Sequence, residues 1–191
     1  MIREFMKNIK KNKSGVSLIE LIVSITLFSV LMLAATQIFK MVVDGQRGAI
    51  SAQNVQENIR YAMEKMSKEI RMARISNTDC SGAAVNKVFN TANGGSKLYF
   101  KNKNGDCVAY YLENNRLKIK VGVGVGAIAD FITPAKVAVS NLKFFVVDDL
   151  IGAFHSKQPY VTMVMDVKAA GLAMHEQKMK IQITVSSRYY E

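Results

Sequence analysis

Residues 16–40 read VSLIELIVSITLFSVLMLAATQIFK, and within them Leu21–Phe39 runs 19 residues without a charge. As an α-helix rising 1.5 Å per residue, that run covers about 28 Å, close to the hydrocarbon thickness of a bilayer. Ahead of it, residues 1–15 (MIREFMKNIKKNKSG) set Arg3, Lys7, Lys10, Lys11 and Lys13 against Glu4, a local charge of +4. Positive flanks resist translocation, so this end is expected to stay cytoplasmic and the rest of the chain to face outward. An ordinary secretory signal has a shorter apolar core ending in a small-residue cleavage site, and Leu33-Ala34-Ala35 is a poor site inside a longer run. A buried core helix needs no basic tail. A plain signal anchor leaves one residue unexplained.

That residue is Glu20, an acid at the edge of the apolar run. A carboxylate in a spanning helix costs on the order of 2–3 kcal/mol even on lenient insertion scales, and such residues are usually functional. A cut between Gly15 and Val16 would put a new α-amino group near the head of the same helix, as a partner for Glu20 in this subunit or a neighbour. The stretch Lys13-Ser14-Gly15-Val16-Ser17-Leu18-Ile19-Glu20-Leu21 resembles the class III signal of type IV pilins and type II secretion pseudopilins. That signal is a basic leader ending in Gly, a residue that is usually Phe, then Ser/Thr-Leu-Ile-Glu and a long apolar helix. The resemblance implies cleavage after Gly15 by prepilin peptidase, N-methylation of Val16, and Glu20 as the acid that meets a neighbour's N-terminus during assembly. Val16 departs from the usual Phe. The implied partners are prepilin peptidase, other pilin or pseudopilin subunits and the membrane.

Composition narrows the rest. Of 191 residues, 49% are apolar and 21% charged, ordinary values that exclude disorder, a collagen repeat and a disulfide-dense scaffold. Two His and two Cys, far apart, argue against a zinc site, which needs three or four clustered ligands. Outside the basic tail the net charge of +11 falls to +7, spread along the chain. No catalytic residue, cofactor or metal is assigned.

Beyond the apolar run, Val55, Ile59, Ala62, Met63, Met66, Ile70 and Ala73 recur at spacings of three and four and predict one apolar helical stripe. Glu57/Arg60, Glu64/Lys68 and Lys65/Glu69 read as a solvated, mutually neutralised face. That reading is preferred to a DNA-binding helix built on Arg60, Lys65, Lys68, Arg71 and Arg74, and nucleic acid is not expected as a partner of the chain. Gly45 and Gly48 weaken the helix and suggest a bend or local melting. Residues 76–97, rich in Ser, Asn and Gly, read as a connection.

After it the period changes to two. Leu98–Lys101, Cys107–Leu112 and Arg116–Val121 predict a three-stranded meander reversing at Asn104-Gly105 and Asn114-Asn115. Further strands are expected at Val137–Val147, at Tyr160–Val167 with Val161, Met163, Met165 and Val167 on one face, and at Met179–Val185 with Met179, Ile181, Ile183 and Val185 on one face. The run Gly122-Val123-Gly124-Val125-Gly126 lacks the spacing and the Lys-Ser/Thr of a phosphate loop, and reads as a flexible turn.

The expected fold is α+β: a long N-terminal helix, its first half transmembrane, packed on a mostly antiparallel sheet. Its divisions are a cleaved leader (1–15), a transmembrane or filament-core helix (16–43), an extracytoplasmic helical half (44–75), a connecting loop (76–97) and a sheet domain (98–191). The runs Asn58–Glu64, Ile70–Ala73 and Met179–Arg188 are similar to those of J-class minor pseudopilins and W-class minor pilins, which implies a minor filament subunit. Cys80 and Cys107 should form a disulfide if the head folds in an oxidising exterior, and stay as thiols if it does not. His155 and His175 are expected in exposed loops. Asp148-Asp149 is expected as an exposed pair rather than the Ca2+ site that some pseudopilins carry. The rival reading is a membrane-tethered extracytoplasmic binding or sensor domain that keeps its N-terminus and never polymerises.

Overall fold

The computed structural model describes residues 15–76, 80, 86–148, 150–151, 154–155, 158–169 and 178–188. The chain divides into two compact units, residues 1–45 and 46–191. One helix, α1 (Leu18–Arg71), contributes to both. Its hydrogen bonding begins with Leu21 N donating to Ser17 O and continues through Gly45 and Gly48 without interruption. The expected melting at these glycines is not found. Each costs only about 1 kcal/mol relative to Ala, less than breaking a cooperative hydrogen-bond ladder would cost.

In the first unit the apolar run is exposed along its whole length; Leu18, Leu31 and Phe39 show 76%, 68% and 70% of their surface. This segment has the length and composition to cross a membrane, and none of it is buried by the protein. Its hydroxyls are bonded back onto the helix. Ser24 Oγ donates to Glu20 O at 2.8 Å, Thr26 Oγ1 to Val23 O at 2.8 Å, Ser29 Oγ to Ile25 O at 2.8 Å and Thr36 Oγ1 to Met32 O at 2.6 Å.

The second unit holds the core. The predicted stripe is the buried one: Val55, Ile59, Ala62, Met63, Met66 and Ile70 are covered, as is Ala73 just past the helix. The last turn tightens through Met72 N to Glu69 O and Ala73 N to Ile70 O, which uses carbonyls that would otherwise lack partners. Opposite the stripe lie two antiparallel sheets. The first runs in order β1 (Phe89–Ala92), β2 (Lys97–Lys101), β3 (Cys107–Glu113), β4 (Arg116–Val121) and β5 (Ile128–Phe131). The hairpin between β3 and β4 turns on Asn114 and Asn115, both at positive φ (52° and 56°), as a two-residue loop matched to strand twist demands. Between β2 and β3, Asn102 Oδ1 accepts from the N–H groups of Asn104 and Asp106, each at 2.9 Å.

Further strands follow in chain order as β6 (Val137–Val147), β7 (Leu150–Ile151), β8 (Phe154–His155), β9 (Tyr160–Ala169) and β10 (Lys178–Ser186). The second sheet is ordered β10-β9-β6, and β7 pairs with β8 as a short ribbon. On β9 the buried residues are Val161, Met163, Met165 and Val167, the expected face. The fold is thus α+β and pilin-like, a long N-terminal helix with antiparallel sheets.

Two local expectations need correction, and one strand carries an irregularity. The connection over 76–97 contains strand β1, so the sheet begins at Phe89 rather than Leu98. β6 does not alternate throughout: its register shifts between Ser140 and Lys143, Asn141 takes φ +51°, and the buried set passes from Val137 and Val139 to Leu142 and Phe144. One extra residue in a strand reverses its faces. His155 lies in a strand, not a loop; His175 and Asp149 lie outside the described residues.

The two sheets meet at Gly95. Its carbonyl accepts from Phe144 N at 2.7 Å, and a Cβ there would stand 2.7 Å from Phe144 O. With φ at +87° as well, the position admits only glycine without rearrangement.

Candidate assembly and processing site

Gly15, Val16 and Ser17 precede α1 and have no helical assignment. Around Gly15 a Cβ would meet nothing within 4 Å, and Val16 is 69% exposed. The Gly15–Val16 peptide bond therefore lies in accessible, non-helical backbone, the form in which a protease engages a chain. Glu20 sits in the first turn of α1, where its charge is favoured by the exposed N–H groups of the helix end. Among the described residues, no side chain pairs with its carboxylate. It stands four positions after Val16.

In the head, Cys80 and Cys107 are joined as a disulfide with Cα atoms 5.5 Å apart. It ties the segment after the helix to the first residue of β3. Asp148, expected as an exposed carboxylate, is instead only 6% exposed. Its Oδ2 accepts from Val88 N at 2.7 Å and Phe89 N at 2.9 Å, so it anchors the start of β1 to the end of β6. Sequence reasoning missed this role because nothing local to Asp148 announces a partner sixty positions away. A second link missed in the sequence is Tyr110, fully buried, whose hydroxyl donates to Glu69 Oε2 at 2.6 Å. Burial, and after it the Glu69 carboxylate, push the Tyr110 phenol above its ordinary range. Among the described residues, no group of three His, Cys, Asp or Glu side chains is gathered as a metal would need.

The deciding comparison concerns the N-terminal segment. Residues 10–36 match the family model for the prokaryotic N-terminal methylation motif. The chain carries a prepilin-type signal. The match contains Gly15, Val16, Glu20 and most of the apolar run, and ends before the head. No curated protein and no solved structure matches the chain.

Proposed function

We propose that this protein is a minor pilin-like (pseudopilin) subunit of a type IV pilus or type II secretion pseudopilus. The observation that carries the reading is the methylation motif over residues 10–36, joined to a helix whose first half is apolar and unburied. Prepilin peptidase cuts after Gly15, removing the basic leader, and Val16 becomes the methylated first residue. The precursor is a single-pass protein of the cytoplasmic membrane with its N-terminus inside and its head outside. On extraction into a filament the apolar half-helices of neighbouring subunits pack together, which keeps those surfaces out of water. Glu20 of one subunit then faces the α-amino group of another. The likeness of Asn58–Glu64 and Met179–Arg188 to J-class pseudopilins and W-class pilins supports a minor role. The work of the subunit is structural, as a substrate of a peptidase and not an enzyme.

Intact-mass measurement and N-terminal sequencing of the chain isolated from membranes, with and without prepilin peptidase, test the proposal. Loss of residues 1–15 and a start at Val16 are expected only with the peptidase present. A chain that keeps Met1 under both conditions would instead identify a tethered, non-polymerising domain.

A further inference from the structure

The solvent side of the first sheet carries a pattern visible only once strand register is known. One cross-strand row reads Ala92, Lys97, Tyr111, Lys118, Phe131, and the next reads Asn90, Tyr99, Ala109, Lys120, Ala129. Strands lie about 4.8 Å apart, so cations and rings alternate at that step along the first row. Lys97 Nζ is 5.2 Å from the centre of the Tyr111 ring. The Arg116 guanidinium carbon and Lys118 Nζ are 4.0 Å and 4.9 Å from that of Phe131. In the second row the small Ala109 leaves a depression of about 350 Å³, walled by Lys97, Tyr99, Tyr111 and Lys120. Against Lys97, Lys101, Arg116, Lys118 and Lys120, Glu113 is the one acid on this side of β2–β5, and it pairs with Lys118.

Packing does not require this arrangement, because the core is built by the alternate residues Leu98, Phe100, Val108, Tyr110, Leu117 and Ile119. Solubility alone would need the charges but not the rings. A protein partner is a poor match, since the centres of such interfaces are depleted in Lys. A membrane is met by exposed apolar side chains, whereas these rings stand half-buried among lysines. An anionic polymer carrying planar groups matches both features: phosphates meet the ammonium groups, and bases stack on the rings or on the guanidinium plane. We propose that this sheet face binds single-stranded nucleic acid without sequence preference, Tyr99 and Tyr111 serving as stacking platforms and Lys97 and Lys120 as phosphate contacts. The surface is separate from the basic residues of α1, where Arg60 is engaged with Glu64 at 2.9 Å.

The test is fluorescence anisotropy of a labelled oligothymidylate titrated with the full chain in neutral detergent, over a range of salt. Affinity should fall with salt at a log–log slope of about −1.4, given about 0.7 per neutralised phosphate on a single strand and the two contacts at Lys97 and Lys120. Tyr99→Ala and Tyr111→Ala should each weaken binding roughly 5- to 150-fold, while Tyr99→Phe and Tyr111→Phe, which keep the ring, should bind as wild type. Lys143→Gln, on the exposed side of β6, should leave affinity unchanged. Absence of salt-dependent binding would overturn the proposal, as would Ala variants that bind like wild type. Phe variants as weak as Ala would also refute stacking. Two competitors complete the test: heparin binding with equal tyrosine dependence would assign the face to acidic polysaccharide, and anionic vesicles doing so would assign it to lipid.

Discussion

Replacing both Cys80 and Cys107 by Ala should cost the head about 3.5 kcal/mol. The two residues are 27 positions apart, and cross-linking removes loop-closure entropy of about 2.1 + 1.5R ln n cal/mol/K from the unfolded chain. With n near 27 that is roughly 12 cal/mol/K, or about 3.5 kcal/mol at 25 °C. In the native state the enclosed segment has other attachments. Ser76 and Lys87 are bonded backbone to backbone, β1 is anchored by Asp148, and β2 pairs with β3. The native ladder should therefore survive, and the loss should appear as an unfolded state made more favourable. Alanine is preferred to serine because Cys80 is 2% exposed, and a buried hydroxyl would add a desolvation cost of its own. For a domain of this size the loss corresponds to a fall of about 7–14 °C in Tm. The chain has seven Tyr and no Trp, so near-ultraviolet tyrosine circular dichroism follows the head during urea unfolding in mild detergent. A loss below about 1 kcal/mol would refute the entropic argument. Two titratable thiols in denatured, unreduced protein from its native membrane would refute the bond itself, and with it folding in an oxidising exterior.

Glu20→Leu should leave insertion and leader cleavage intact but reduce co-purification with filament partners, since an α-amino group in an apolar bundle loses an attraction of up to about 4 kcal/mol before desolvation; normal incorporation would remove Glu20 from assembly. Asp148→Ala should lower stability by roughly 2–5 kcal/mol in urea titration by leaving two backbone N–H groups without their acceptor, whereas Asp148→Asn should retain much of it. Tyr110→Phe should cost about 1–2 kcal/mol near pH 7 through the lost bond to Glu69. The raised Tyr110 pKa adds a pH signature. The folded chain holds that proton while the unfolded chain releases it near pH 10, so the contribution is constant below about pH 10 and declines above it. Stability curves of Tyr110→Phe and wild type should therefore converge in alkali, and parallel curves would contradict this.

The buried helical stripe was legible because Val55, Ile59, Met66 and Ile70 must share a face at 3.6 residues per turn whatever covers them. The meander was legible because Asn114-Asn115 tolerates the positive φ that a tight hairpin requires. Strand β1 was hidden in an Asn- and Gly-rich stretch of only four paired residues, held by β2 and Asp148 rather than by its own pattern. β5 was missed because Ile128, Ala129 and Asp130 are all exposed and show no alternation. At the candidate assembly and processing site, Glu20 was readable as the costly residue in an apolar run. The alternating rows of lysine and aromatic residues were not, because Tyr111 and Lys97 become neighbours only when β2 and β3 pair.

The back-bonded hydroxyls of α1 change what moving this helix between surroundings entails. From Leu21 to Thr36 every side chain is either apolar or already supplied with an acceptor by the turn beneath it. Such a segment would swap lipid tails for neighbouring helices without exchanging one hydrogen bond, so along that stretch neither medium would hold it more firmly through polar contacts. Discrimination between the two is left to the ends, Glu20 on one side and Gln37 on the other. On the proposed assembly, a surface so even-handed would let a subunit slide or rotate until Glu20 finds a counter-charge, and that contact, rather than a lock of side-chain polar bonds along the helix, would set the register at which it stops.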